Sequence, residues 1–393
     1  MRVALTDSQI ALRDELRGYF AGLLESERAR GADPAVHDGS AFRRIVRRMG
    51  SDGWLGVGWP AEYGGKGLTA IEQLIFFDEA QRAGVPVPLV TLNTVGPTLM
   101  LFGTDEQKDF FLPRILRGEI DFAIGYTEPE SGTDLASLKT RAVRDGDDYI
   151  VNGQKIFTSG ADQADYVWLA VRTDPDAARH RGISVLIVDT GSPGFKVTPL
   201  NTIFEAPSQV PTTATFYEDV RVPASMLVGE ENGGWKLITT QLNHERVALA
   251  AAGRLDRALE DTIRWAAATT AGGARIIDRP WVRLNLARVK AKLEALKLLN
   301  WRLAWELQTG ERSPADASAV KVYGSELGIE TAKLLLEITG QSGALKRGSP
   351  GAALNGWLEW LYRYLGVNTF GGGVNEIQRE IIATAGLGMP RGR

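Results

Sequence analysis

The 393-residue chain contains no cysteine. That excludes disulfides, thiol nucleophiles and cysteine-ligated zinc or iron–sulfur centres. Histidine is nearly as scarce: only His37, His180 and His244 occur, and no two are one helical turn apart, as a helix-borne metal pair requires. Redox chemistry, if any, must come from an organic cofactor. No stretch approaches the ~20 apolar residues needed to span a bilayer. The opening Met1–Ser8 segment lacks the apolar core of a signal peptide, so a cytoplasmic protein is expected. There is no long block of like charge, and a net charge of -3 gives the surface no general attraction for nucleic acid.

What is present is ordinary for a globular protein, with 44% hydrophobic and 24% charged residues. The length exceeds the roughly 250–300 residues at which one core stops growing, so two or three packed modules are expected. Residues 1–122 read as helical. Thr6–Gln9 resembles a cap, followed by an apolar stripe through Ile10, Leu12, Leu16, Phe20, Leu23 and Leu24. Gly53–Gly67 is a glycine- and aromatic-rich loop, and helices are expected over Ala70–Ala83 and Asp105–Arg117. Residues 123–225 change texture to short β-like runs broken by Gly, Pro and Asp, with Asn152-Gly153 reading as a hairpin turn. Residues 226–393 return to long helical periods: Trp235–Thr269, Trp281–Gln308, Ser313–Ile338, Ala352–Leu365 and Val374–Ala385. The fold class is therefore mainly α with a central β domain.

Four places could carry chemistry. On the helix through Leu242-Asn-His-Glu-Arg-Val-Ala-Leu, Ile238, Leu242, Glu245, Leu249 and Ala252 share one face. A carboxylate in such a stripe loses water, which raises its pKa and suits a general base. The same pattern also fits a buried Glu paired with a neighbouring cation, and structural ion pairs outnumber catalytic bases. Gly125-Tyr-Thr-Glu-Pro-Glu-Ser-Gly-Thr-Asp offers backbone N–H groups and the Thr127 and Thr133 hydroxyls to a ring edge or a phosphate; an ordinary loop has the same composition. Lys155-Ile-Phe-Thr-Ser sets an aromatic beside hydroxyls at a strand end, as a strand often does without function. Phe370-Gly-Gly-Gly-Val-Asn-Glu allows close backbone approach to a ligand, or is a plain connection. Its spacing is not that of a Walker loop or a dinucleotide fingerprint.

Five segments, in register along nearly the whole chain, resemble the acyl-CoA dehydrogenase family: Trp54–Gly65, Thr127–Asp134, Val151–Ser159, Phe216–Pro223 and Gly372–Arg379. The resemblance implies an N-terminal helical domain, a β-barrel-like middle domain and a C-terminal four-helix bundle, with FAD between the last two. By position it assigns Tyr126, Thr127, Glu128, Pro129, Thr133, Phe157, Ser159, Gly373 and Glu376 to the cofactor, and Arg246 and Gly372 to the substrate. Ser159 would bond the reactive edge of the flavin and Phe157 would lie against it, where many members have tryptophan. The usual catalytic Glu before the C-terminal Gly-Thr motif is missing, since Gly372 stands there. Other members, the isovaleryl and long-chain enzymes among them, carry the base before an Arg on a bundle helix. Glu245-Arg246 matches that arrangement. The implied reaction converts an acyl-CoA to the trans-2-enoyl-CoA, with an electron-transfer flavoprotein as oxidant.

Two family segments that reach across to a neighbour's FAD are altered, to Asp278-Arg-Pro-Trp-Val-Arg and Glu337-Ile-Thr-Gly-Gln. The chain in this respect resembles the actinobacterial steroid side-chain acyl-CoA dehydrogenases, which implies an α2β2 heterotetramer with a second dehydrogenase-like subunit. Leu242–Leu249 and Ser313–Ala319 are similar to that subgroup. The glycines at 371–373 leave room for a bulky acyl group. A non-catalytic partner subunit, and a flavin monooxygenase or oxidase on the same fold, are the competing readings.

Overall fold

The computed structural model describes residues 4–31, 39–203, 211–249, 252–309 and 313–390, the side chains of 242–249 excepted. The first module holds α1 (Asp7–Ala29), α2 (Gly39–Ser51), α3 (Ala70–Ala83), α4 (Gly96–Phe102) and α5 (Asp105–Leu116). A capping box at Thr6 and Gln9 opens α1, and the same device opens α3 (Thr69, Glu72) and α5 (Thr104, Gln107). Leu16, Phe20, Leu23 and Leu24 are buried as the stripe requires, while Ile10 stays exposed at its edge. A π turn, Thr91–Val95, precedes α4. The glycine- and aromatic-rich loop buttresses it: the Trp59 indole N–H donates to the Leu92 carbonyl at 3.1 Å.

The middle module is one sheet of β1 (Phe122–Gly125), β2 (Arg141–Asp145), β3 (Asp148–Ile156), β4 (Tyr166–Arg172), β5 (Ile183–Asp189), β6 (Phe195–Pro199), β7 (Thr213–Pro223) and β8 (Leu227–Val228). The strands run in the order β6-β7-β3-β2-β4-β5-β8, with β1 parallel to β4. One face curls around Tyr149, Val151, Leu169, Leu186, Tyr217 and Val220, which come from both halves of the sheet. The other face presents Trp168, Ile183, Val185 and Ile187 to the core of the N-terminal helices. Asn152-Gly153 is not a turn. β3 runs through it on a bulge between Val151 and Gly153 against β7. The turn lies at Gly146, with φ 61°. Asn152 instead pairs its amide with Asp219 on β7, at 2.9 and 3.0 Å. Gly153 is required because a Cβ there would stand 2.6 Å from the Thr140 hydroxyl. A glycine in a strand interior marks a bulge as readily as a turn.

The last module contains α6 (Gly234–Leu249), α7 (Gly253–Ala268), a small hairpin of β9 (Thr270–Ala271) and β10 (Ala274–Arg275), α8 (Pro280–Thr309), α9 (Pro314–Thr339), α10 (Trp357–Leu365) and α11 (Asn375–Ile381). Ser313 caps α9 and Pro314 is its first residue. The periodic run expected over Trp235–Thr269 is two helices. Asp78 on α3 accepts the N–H groups of Ala252 and Gly253 at 2.7 and 3.2 Å, capping a new helix. A Cβ on Gly253 would lie 1.9 Å from the Asp78 carbonyl, so α7 begins where the chain touches α3. Ala252 thus falls outside the helix that carries Glu245. The Ala352–Leu365 expectation also shortens: Leu354 and Asn355 take positive φ, and regular helix starts at Trp357.

Burial raises the Asp78 carboxyl from its ordinary 3.8 to about 7, against the pull of the two N–H donors. The folded state therefore holds this proton more tightly than the unfolded chain. The contribution is full below pH 3.8 and is lost as pH rises through 7. Asp78→Asn keeps an acceptor at the cap and removes the buried charge. Its melting temperature should gain on the parent's between pH 5 and 8, whereas Asp78→Ala should lose about 0.5–2 kcal/mol throughout. Scanning fluorimetry across that range checks both.

Candidate active site

A cavity of about 2680 Å³ opens where the three modules meet. That is several times the roughly 300–1,000 Å³ of a single-ligand pocket, and it would hold two large ligands. Val85–Val90 of the first module, Tyr126, Thr127, Thr133, Phe157 and Ser159 of the second, and Ile238, Thr239 and Gly371–Gly373 of the third all line it.

Two segments of the β module form one wall. In the first, the loop after β1, Glu128 and Ser131 exchange backbone hydrogen bonds at 2.9 and 3.1 Å, and the Ser131 hydroxyl donates to Asp134 O at 2.7 Å. The second is the end of β3. Ile156 N–H donates to Thr127 O at 2.8 Å, which joins the two. Lys155 joins them again, its ammonium donating to Tyr126 O at 3.0 Å and to Glu128 at 2.8 Å. Both side chains of that pair are buried. Glu128 also accepts Lys139 N–H and Thr140 N–H at 2.7 and 2.8 Å. Burial pulls the Lys155 ammonium down to about 8, partly countered by Glu128. Burial alone would raise Glu128, but Lys155 and the N–H donors outweigh it and hold the carboxyl below its usual range. Glu128 therefore faces into the β module and does not line the cavity.

Phe157 is a non-glycine residue with a left-handed backbone, φ 62°, and it is 58% exposed. An aromatic residue there costs about 1–2 kcal/mol. The flanks hold it in place: Ile156 is tied to Thr127, Thr158 N–H donates to Thr213 O at 2.9 Å, and the Thr213 hydroxyl donates to Thr158 O at 2.6 Å. The Ser159 hydroxyl meets that of Thr212 at 3.2 Å. Strain of this kind, maintained by its surroundings, marks a ligand site.

The opposite wall is the glycine run. Gly372 and Gly373 have φ of 66° and 95°, and a Cβ on Gly373 would lie 2.7 Å from the Gln378 amide. The buried Lys321 of α9 fastens the run, donating to Gly373 O at 2.5 Å and to the Asn375 side chain at 2.8 Å. Glu376 points away, exposed on α11, and Pro129 does not line the cavity. Glu245 and Arg246 lie on α6, but their side chains are outside the described residues. Of the same helix, Gln241 is fully buried and accepts the Trp168 indole N–H at 3.1 Å; the Tyr126 hydroxyl accepts that N–H at the same distance.

An exposed aromatic ring, adjacent hydroxyls and side-chain-free backbone on facing walls fit a flat, polar-edged cofactor. Arg254, Arg257 and Lys346 on the lining fit a phosphorylated one. Family models for the acyl-CoA dehydrogenase N-terminal, middle and C-terminal domains match residues 6–119, 123–220 and 232–387. The chain belongs to the acyl-CoA dehydrogenase family. Its members are oxidoreductases that act on CH–CH bonds and generally depend on FAD. It is 54% identical to acyl-CoA dehydrogenase FadE26 of Mycobacterium tuberculosis, over 100% of this chain and 99% of that protein. Two solved structures, each matched with TM-score 0.92, 54% identity and 100% of both chains, are the ChsE4-ChsE5 complex from Mycobacterium tuberculosis and the Tcur3481-Tcur3483 steroid ACAD.

In this acyl-CoA dehydrogenase, sequence reasoning missed the roles of Lys155, Lys321, Trp168 and Gln241. Lys155 left a trace: it occupies an inward strand position, in phase with Tyr149 and Val151. Phe157→Gly would relieve the backbone strain at the loss of a side chain that is more than half exposed. The apoprotein should keep its stability or gain up to about 1 kcal/mol, since glycine's unfolded-state entropy offsets part of the relief. FAD should bind more weakly, as judged by fluorescence titration of the apoprotein.

Proposed function

We propose that this chain is the catalytic, FAD-binding subunit of a dehydrogenase that converts a bulky acyl-CoA to its trans-2-enoyl-CoA, with Glu245 as the base. The observation that carries the reading is the placement of α6. Ile238 and Thr239 line the cavity, and position 245 follows Ile238 by two helical turns on the same face. Phe157, Thr127, Thr133 and Ser159 would hold and orient the flavin against the β-module wall, with Gly373 and Tyr126 at its margins. Gly372 and Arg246 would border the substrate. When bound, FAD supplies the acceptor for the β-hydrogen and its electron pair. Glu245 removes the α-proton from carbon made acidic by the neighbouring thioester, the two C–H bonds break and a C=C bond forms.

Steroid chemistry in a structural relative, the size of the cavity and the three glycines support a bulky acyl group. The α2β2 assembly rests on relatives crystallised as complexes of two proteins, and on the altered cross-subunit segments. Asp278 is engaged by Arg275 and Arg283 at 2.8 Å each, and Glu337 accepts from Asn285 at 3.0 Å, so both segments serve contacts within this chain. An electron-transfer flavoprotein would reoxidise the flavin in the cytoplasm.

Glu245→Gln, assembled with its partner and loaded with FAD, should lose roughly 10²- to 10⁴-fold in kcat while keeping its flavin spectrum. Full retention of turnover would falsify the assignment of the base. A stable, flavin-saturated and active homotetramer from this chain alone would remove the need for a second subunit.

A further inference from the structure

Gln241 of α6 is polar, completely buried and not on the cavity lining. Its Oε1 accepts the Trp168 indole N–H at 3.1 Å, and the Tyr126 hydroxyl shares that N–H at the same distance. Trp168 stands on β4 opposite Ile124 of β1, and Tyr126 follows β1 into the loop that lines the cavity. Tyr126 O in turn takes the Lys155 ammonium, and Thr127 O takes Ile156 N–H. One indole N–H thus joins α6 to the loop and the strand end that form the wall of the β module.

An indole N–H only donates, so the oxygen of the Gln241 amide must face Trp168. That fixes the other end of the amide. Its NH2 group is turned from Trp168, and among the described residues it has no acceptor. A buried donor left in this state is costly, and native structures rarely leave one without a reason. Docking the helix is not that reason. The chain at the start of α6 is held on β5, where Asn232 N–H donates to the Ser184 hydroxyl at 2.7 Å and a Cβ on Gly234 would stand 2.8 Å from the Ser184 backbone. Leu237 and Ile238 of α6 and Trp168 already share one apolar core, into which a methionine at 241 would fit. Position 245 lies four residues further along α6. Residues four apart on a helix are neighbours, and the later side chain leans back over the earlier turn.

We infer that Gln241 is a positioning residue for proton abstraction: Trp168 holds its oxygen, and its NH2 group donates to the Glu245 carboxylate and orients it. The inference rests on the reading of Glu245 as the base. It deepens that reading by naming the residue that holds the base in place and the junction that ties both to the cavity wall.

The test uses the assembled, FAD-loaded protein carrying Gln241→Met, Glu245→Gln or both. Turnover of an acyl-CoA is measured together with exchange of the α-hydrogen of a 3-thia-acyl-CoA into deuterated water, followed by NMR. That thioester has sulfur in place of the β-carbon, so it cannot be dehydrogenated and reports the base alone. Gln241→Met should lose roughly 10- to 100-fold in kcat and in exchange, the worth of a hydrogen bond to a charged group. KM and flavin content should hold. Added to Glu245→Gln, the same substitution should bring no further loss, because its effect passes through the carboxylate. An equal loss in both backgrounds marks a merely structural residue and overturns the inference, as does exchange at the parent's rate in Gln241→Met. If Gln241→Met does not assemble, Trp168→Phe, which leaves the amide to turn over, takes its place, and exchange at the parent's rate again overturns the inference. Glu245→Gln by itself judges the base. If it exchanges at the parent's rate, the base assignment fails and the inference with it. If it has lost exchange while Gln241→Met has not, only the role of Gln241 fails.

Discussion

Lys155 and Glu128 meet at 2.8 Å with almost no access to solvent, and the cavity wall of the β module depends on them. Desolvating two charges is expensive, and an apolar pair of similar volume is often as stable. What an apolar pair lacks is direction. The ammonium also reaches Tyr126 O, and the carboxylate also takes the N–H groups of residues 139 and 140. The pair therefore fixes the end of β3 against the loop after β1 and the start of β2 at once. Phe157 can hold a left-handed backbone only because the residue before it belongs to this lattice and the residue after it is clamped to β7. Loss of either charge alone would strand the other, at a cost of about 3–5 kcal/mol.

The irregularities of the chain gather around the same cavity. The π turn at Thr91–Val95, the positive φ of Phe157, Gly372 and Gly373, and the break between α6 and α7 flank its walls. Regular elements do the packing. Leu16, Phe20 and Phe76 join Trp168 and Ile187 in a core that crosses from the first module to the sheet, and α7, α8 and α9 share another with Leu74 of α3. Each module thus has a seam of close-packed apolar contact, and the departures from regular structure are concentrated where three seams leave a gap. Close packing elsewhere is what keeps the gap from collapsing.

Helix periods and capping signals were legible in the sequence because they are local. Thr6 with Gln9, and Ser313 with Pro314, act within one turn, and the structure places α1 and α9 accordingly. The order of helical, β and helical modules followed from the same periodicities. The family resemblance added what local patterns cannot, the gathering of Thr127, Phe157 and Gly373 from distant segments. Failures came where a partner far along the chain decides the local conformation. Asn152-Gly153 has the chemistry of a hairpin, but Asp219 and Thr140 make it a bulge. The expected Trp235–Thr269 run has one helical period, but Asp78 on another module caps a second helix that starts at Gly253. Glu128 sits inside a motif associated with flavin, yet its carboxylate belongs to Lys155. Motif membership singled out a loop that lines the cavity and said nothing about which way each side chain turns.

Glu128 and Asp121 show why that direction matters. Both are carboxyls beside the same short strand, and both are enclosed by the fold. Glu128 has a cation and two backbone donors, so it is held in its charged form and is chemically inert. Asp121, just before β1, has a hydroxyl from Thr91 and an N–H, and burial, with the Asp165 carboxylate nearby, raises it to about 6. Environment alone separates the two. A carboxylate matched by a cation beside it stays charged despite burial, whereas one with only neutral donors beside it shifts towards its protonated form. Two buried lysines fasten the walls of the cavity. Lys155 donates to Glu128 and to Tyr126 O, and Lys321 donates to Gly373 O and to the Asn375 side chain. One ammonium therefore fixes the end of β3 and the other fixes the glycine run, so that backbone without side chains keeps a defined place on the lining.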